Sequence, residues 1–228
     1  MKKGFFISLE GFEGSGKTTL AQTLYHIILK NGLVAVLTKE PGGTIAADKI
    51  REILLERESE GLGYKAELLL FAASRSENVR VNIQPALEKG SIVISDRYFD
   101  STTAYQGFGR GIDMKIIEYL NYFAVEDIIP DVTFFLDVDT EIGLQRSTIF
   151  SKGKEMRFED EFIQKKQIKG KLFLDRVRDG YHQIARINPE RIQVIDANRD
   201  IGLVLNDIIK ILIQKLSQKF HKNIFLES

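Results

Sequence analysis

Phe5-Phe6-Ile7-Ser8-Leu9, then Gly11-Phe12-Glu13-Gly14-Ser15-Gly16-Lys17-Thr18, then Thr19-Leu20-Ala21-Gln22-Thr23-Leu24-Tyr25-His26-Ile27-Ile28-Leu29: this stretch decides the fold. The first run is short and apolar and reads as a buried strand. The last reads as a helix. Between them stand a glycine, four residues and Gly-Lys-Thr, the pattern of a phosphate-binding loop. The strand before it and the helix after it make the pattern specific. Its glycines let backbone N–H groups converge on one anion. The helix start adds unpaired N–H groups and the positive end of its dipole. In this reading Gly11, Phe12, Glu13, Gly14, Ser15 and Gly16 wrap the phosphates of a nucleotide. Lys17 reaches the β- and γ-phosphates, and the Thr18 hydroxyl ligates Mg²⁺.

The rest of the chain repeats the alternation. Apolar runs at Phe5 to Leu9, Leu33 to Thr38, Ser91 to Ser95, Val132 to Val138 and Ile192 to Ile195 read as strands. Helical periodicity fills Ile45 to Leu55, Ala66 to Leu87, Met114 to Phe123, Phe162 to Ile187 and Leu203 to Phe220. Such alternation predicts an α/β P-loop NTPase with a mainly five-stranded parallel sheet and helices on both faces. At 228 residues, with no repeat or linker, residues 1–228 are expected to form a single domain. Ser147 to Arg157 stands apart: it holds Lys152, Lys154 and Arg157 and has no strong apolar period. It reads either as an exposed basic turn or as a short lid, about 147–157, closing over phosphates.

Composition narrows the function. Lys plus Arg and Asp plus Glu both total 32, which argues against a chain built to bind nucleic acid or an anionic membrane surface. There is no cysteine, so no disulfide framework and no thiolate metal site. The apolar run after Met1-Lys2-Lys3 stops at Glu10 and passes into the phosphate loop, unlike a signal peptide. No run is long and apolar enough to span a bilayer. The expected setting is cytoplasmic.

Ligands in an open parallel sheet lie at the carboxyl ends of its strands. Asp96-Arg97 follows the third strand. Asp96 there can hold Mg²⁺ directly or through water, and Arg97 can fork onto phosphate oxygens. The alternative is a plain Asp–Arg ion pair at a strand end. Phe71 and Arg75 are i,i+4 on a helix, so they share a face and can stack on a base and bond its edge. Taken alone, Phe71 reads as core. Tyr105-Gln106-Gly107 after the Asp-Arg turn supplies a partner pair for a sugar and a base amide. Glu13 inside the phosphate loop has an Mg²⁺-linked, acceptor-side or arginine-orienting role, or is a solvent-facing loop tip.

At this point the chain resembles the thymidylate kinase family, nucleoside monophosphate kinases that phosphorylate dTMP. The likeness runs through Phe12 to Thr19, Glu40-Pro41-Gly42-Gly43-Thr44, Ile50-Arg51, Glu67 to Arg75, Asp96-Arg97-Tyr98, Tyr105-Gln106-Gly107 and Gly109-Arg110-Gly111. The resemblance implies that Gly11 to Thr18 bind ATP, with Arg146 against its adenine. It implies that Phe71 stacks on thymine, Arg75 bonds its edge, Gln106 lies beside it and Tyr105 packs on the deoxyribose. Arg51 and Arg97 would grip the acceptor phosphate. It further implies a homodimer, and a lid-borne catalytic cation, here assigned to Arg157. Lys17, Arg97, Glu13 and Arg157 are the catalytic set, with Thr18 and Asp96 at the metal. The chain departs from the family pattern at Lys39, where arginine is expected, and at Met156, where aspartate is expected. A kinase for another nucleotide or a deoxynucleoside is the nearest alternative. A regulatory GTPase would need Asn-Lys-x-Asp and Asp-x-x-Gly motifs, and the sequence has neither.

Overall fold

The computed structural model describes residues 4–55, 61–151, 167–221, 224 and 226. In chain order these form β1 (Phe5–Glu10), α1 (Lys17–Lys30), β2 (Ala35–Lys39), α2 (Ile45–Leu55), α3 (Tyr64–Asn78) and α4 (Gln84–Glu88). Then follow β3 (Ile92–Asp96), α5 (Phe99–Thr102), α6 (Met114–Val125), β4 (Val132–Asp137), α7 (Thr140–Ser151), α8 (Gln167–Ile187), β5 (Ile192–Asp196) and α9 (Ile201–Phe220). Two π-helical turns, Val79–Ile83 and Thr103–Gly109, join α3 to α4 and extend α5. The strands form one parallel sheet in the order β2-β3-β1-β4-β5.

Side-chain alternation on the strands builds a core on each face. Phe5, Ile7 and Leu9 of β1 point into one cluster, with Leu20, Leu24, Ile28, Val177 and Leu212 from α1, α8 and α9. Phe6 points into the other, with Val79, Ile83, Val93, Tyr98 and Val125. Registry then aligns the carboxyl ends. Lys39 pairs with Asp96, Asp96 with Leu9, and Leu9 with Phe134. So the phosphate loop leaving β1 lies between the Asp96 strand end and β4.

Two segments differ from expectation. Residues 99–109, which the sequence reading places in no helix, are helical, ending in a π turn closed by Arg110 N donating to Tyr105 O at 2.9 Å. Gly107 and Gly109 lower local helix propensity. Tertiary packing overrides it, because a Cβ at Gly109 would meet Phe173 of α8 at 2.7 Å. Likewise α7 carries the chain through Ser147 to Ser151, so the segment expected to stand apart from Ser147 begins as helix. Lys152, Lys154, Arg157 and the remainder of the expected lid lie outside the described residues.

Candidate active site

The phosphate loop is shaped by three left-handed glycines, Gly11, Gly14 and Gly16, with φ of 136°, 76° and 91°. Gly14 is also sterically obligatory: a Cβ there would lie 2.1 Å from the Gly143 carbonyl oxygen of α7. The buried Lys17 bends over the loop, its Nζ donating to Phe12 O at 2.7 Å and Ser15 Oγ at 3.3 Å. Thr18 Oγ1 donates to Asp96 Oδ2 at 2.6 Å, which brings two hard oxygens together at the loop mouth. That donor set suits Mg²⁺, which takes one or two protein oxygens and completes its shell from phosphates and water. Among the described residues no cluster of three or more His, Cys, Asp or Glu side chains forms an all-protein metal cage.

Arg97 has φ of 75°, a conformation costing on the order of 1–3 kcal/mol for a non-glycine residue. Its backbone is clamped there. Arg97 N donates to Leu9 O at 3.0 Å, and Ser95 Oγ donates to Arg97 O at 2.6 Å. The turn throws the guanidinium over the phosphate loop, with Nη1 donating to Gly11 O at 2.8 Å and to Ser101 Oγ at 3.2 Å. Its other side lies over the Tyr105 ring, 5.2 Å from the centroid. Asp96 and Arg97 thus turn to different elements, Asp96 to α1 and Arg97 to the loop and the π turn.

Beyond Arg97 opens a cleft. Arg51 of α2, Phe71 and Arg75 of α3, Arg97 of the turn after β3, and Tyr105 and Gln106 of the second π turn all line it, together with Glu13. Phe71 is half-buried and faces the cleft instead of joining either core cluster, and the Glu13 side chain belongs to the cleft wall. Arg51 Nη1 donates to Pro41 O at 3.0 Å, which draws α2 to the turn after β2. Arg146 is on α7, one turn beyond Gly143. Its guanidinium donates to Ala197 O at 2.7 Å and Asn198 O at 3.2 Å, so its plane is braced by the loop after β5.

Carboxylates hold this wall, and the sequence reading had given them no role. Arg75 is buried, with Nε donating to Glu40 at 2.7 Å, Nη1 to Asn121 Oδ1 at 3.2 Å, and Nη2 to Tyr98 O at 3.3 Å and Thr102 Oγ1 at 3.0 Å. Burial raises the Glu40 carboxyl above its usual range, against the pull of Arg75. Glu67 takes Gln106 Nε2 at 2.9 Å and a two-pronged contact from Arg110. Glu10 is buried at the end of β1. It accepts from Tyr98 N at 2.7 Å, Ser101 Oγ at 2.6 Å, Ser8 Oγ at 3.1 Å and Tyr181 Oη at 3.0 Å. One signal was available for each of two of them. Glu67 precedes Phe71 by one helical turn, on the same face, and Glu10 is a charge ending an apolar strand.

The chain matches the family model described as thymidylate kinase over residues 9–208. It is 47% identical over 191 residues to a thymidylate kinase of Chlorobaculum tepidum, covering 84% of this chain and 88% of that one. It is 39% identical over 210 residues to a thymidylate kinase of Shouchella clausii, covering 92% and 95%. Among solved structures, the crystal structure of thymidylate kinase from Ehrlichia chaffeensis superposes with a TM-score of 0.70 at 37% identity, covering 92% of this chain and 98% of that one.

Proposed function

This chain belongs to the thymidylate kinase family and is an enzyme that phosphorylates dTMP, and we propose how its residues divide that reaction. ATP is the donor, with its phosphates in Gly11 to Thr18 and its adenine against Arg146. The thymine lies on Phe71, with Arg75 and Gln106 at its polar edge and Tyr105 against the deoxyribose. Arg51 and Arg97 hold the acceptor phosphate, and the products are ADP and dTDP. The observation that carries this division is Arg97. Its guanidinium touches the phosphate loop at Gly11 and the cleft at Tyr105, where donor and acceptor phosphates must meet.

Phosphoryl transfer asks for in-line placement and for positive charge around the moving group. Lys17 supplies that charge from the donor side once the phosphates displace its contacts to Phe12 O and Ser15 Oγ. Arg97 and Arg51 supply it from the acceptor side. Thr18 and Asp96 hold Mg²⁺, which when bound offsets phosphate charge. Glu13 stands between the loop and the cleft and orients the acceptor-side arginines. The acceptor phosphate is already ionised, so the chain needs no general base. Arg157 completes the charge from the lid. The reaction consumes ATP, and its compartment on this reading is the cytoplasm.

The enzyme acts as a homodimer on the same reading. The support is a contiguous exposed apolar face on α6, formed by Ile116, Tyr119, Tyr122 and Phe123. The division of substrates is tested by a coupled ADP-release assay against dTMP, dUMP, dCMP, dGMP, dAMP and ribo-TMP. It predicts dTMP as preferred acceptor, ribo-TMP rejected through Tyr105, and loss of turnover without Mg²⁺. Preference for a purine monophosphate would overturn the cleft assignment.

A further inference from the structure

Glu67 touches none of the reacting groups in the mechanism above, yet it is buried in the cleft wall with both oxygens engaged. Its Oε1 accepts from Gln106 Nε2 at 2.9 Å and from Arg110 Nε at 3.0 Å, and its Oε2 from Arg110 Nη2 at 2.6 Å. The side chain is 8% exposed. A carboxylate gripped by a guanidinium fork offers only acceptors. An amide facing it must present its NH₂ group, so the orientation of Gln106 follows from chemistry and not from a choice between look-alike atoms. The other end of that amide, Oε1, makes no hydrogen bond among the described residues, and Gln106 lines the cleft. The backbone is fixed as well, with Gln106 O accepting from Ile112 N at 3.1 Å at the end of the π turn.

Resting on the reading that this cleft holds the pyrimidine, we propose that Glu67 is the positioning residue for base specificity. It locks Gln106 with its amide oxygen toward the base, and so selects a pyrimidine bearing N–H at ring position 3 over one bearing a lone pair there. A 4-keto pyrimidine donates from N3 and satisfies that oxygen. A 4-amino pyrimidine such as cytosine brings an N3 lone pair against it. Turning the Gln106 amide over would relieve that clash, but it would then set the amide oxygen against the Glu67 carboxylate. Arg110 keeps Glu67 from swinging aside. Discrimination by a buried polar group of fixed orientation is large, because the wrong ligand leaves that group unpaired.

The experiment measures kcat and KM of the full-length enzyme on dTMP, dUMP and dCMP for Glu67→Gln, Gln106→Leu and the exchange variant Glu67→Gln/Gln106→Glu. Glu67→Gln lets position 106 flip at no cost. KM for dTMP should rise about tenfold while kcat moves by less than about threefold, and the dTMP-to-dCMP ratio of kcat/KM should fall at least tenfold. The exchange variant puts an acceptor back at position 106, held by the amide of residue 67, and should restore the ratio. dUMP should track dTMP throughout, since both carry N3–H. A merely structural role would lower kcat/KM for all three acceptors alike, and an unchanged ratio in Glu67→Gln overturns the proposal. Should Glu67→Gln not fold by thermal melting, Glu67→Asp gives the same reading, since its acceptor falls one methylene short of Gln106. If Gln106→Leu leaves dTMP KM and the ratio unaltered, the cleft reading itself fails. If Gln106→Leu alters them and Glu67→Gln does not, the positioning role alone fails.

Discussion

Glu10 shows how one residue serves both fold and site. Its carboxyl lies at the last position of β1, where Tyr98 N, Ser101, Ser8 and Tyr181 all reach it. Through Ser101 it touches the group that Arg97 also holds. Burial, and next the nearby Asp100 charge, push its carboxyl up to about 7, outweighing the Ser101 bond, Arg97 and the Tyr98 N–H, which favour the anion. The sign of the linkage follows. Between the ordinary value of 4.5 and about 7, the folded chain keeps a proton that the unfolded chain has released. Stability therefore falls as pH rises through that window, by roughly 3 kcal/mol in total. Denaturant unfolding of wild type and Glu10→Gln at pH 4.5, 6 and 7.5 should show wild type losing ground to the variant as pH rises. A gap constant with pH would mean that Glu10 does not titrate there. Arg75 makes a related point. Its place in the cleft wall beside Phe71, where we propose the base edge lies, is readable from the i,i+4 spacing, but its second duty of neutralising Glu40 is not, because Glu40 lies 35 residues away in sequence. Arg75→Ala would strand a buried carboxylate and should cost about 3–5 kcal/mol of stability, measured by urea denaturation. Arg75→Ala is also expected to weaken dTMP binding, which is then measured only in the fraction that remains folded.

Among the elements, legibility followed the reach of the forces involved. The strands were readable because each is an apolar run bounded by charge, and their observed ends lie within two residues of the expected ones. The helix expected from Ala66 to Leu87 exists as α3, a π turn and α4 in sequence, and Ile45–Leu55 is helical as expected. Thr103–Gly109 was not readable, because what holds Gly107 and Gly109 in a helix is Met114 and Phe173 pressing on them from elsewhere. The N-terminal half of α7 was missed for a similar reason: it is fastened to the phosphate loop by a contact that only the fold creates. Gly143 on α7 faces Phe12, and a Cβ there would come within 2.3 Å of Phe12 Cε2. Phe12 is buried and lies between Gly11 and Glu13, so it has little room to yield. Alanine gains up to about 1 kcal/mol over glycine in helix propensity, but overpacking costs about 1–3 kcal/mol. Packing should win. Gly143→Ala should lower the melting temperature and raise KM for ATP more than KM for dTMP, since the displaced element is the phosphate loop. Equal changes in both constants would argue that α7 and the loop move independently.

For the whole molecule, the sheet order puts β1 at the centre, so the phosphate loop and the cleft both open on the carboxyl edge, and Arg97 reaches Gly11 of the one and Tyr105 of the other. No described helix is long and apolar enough to cross a membrane. Yet one helix leaves a broad apolar face outside. On α6, Tyr119, Tyr122 and Phe123 are 67%, 66% and 69% exposed, and the Tyr119 and Phe123 rings stack 6.3 Å apart. Ile116, Tyr119 and Phe123 follow i, i+3, i+7 and so form one stripe. The opposite side of the same helix buries Asn121, whose Oδ1 accepts from Arg75 and whose Nδ2 donates to Phe99 O and Thr103 Oγ1. The face proposed to meet a second copy and the brace behind the proposed base site are thus two sides of one helix. Phe123→Glu sets a charge into the stripe without touching Asn121. In sedimentation equilibrium, wild type should run at twice the 26.0 kDa chain mass and the variant near that mass. If the helix is steadied by its partner, the variant should also bind dTMP more weakly than ATP relative to wild type, because Arg75 loses the rigidity of Asn121. A variant that stays dimeric would move the interface off α6. A monomer with both affinities intact would separate association from the site.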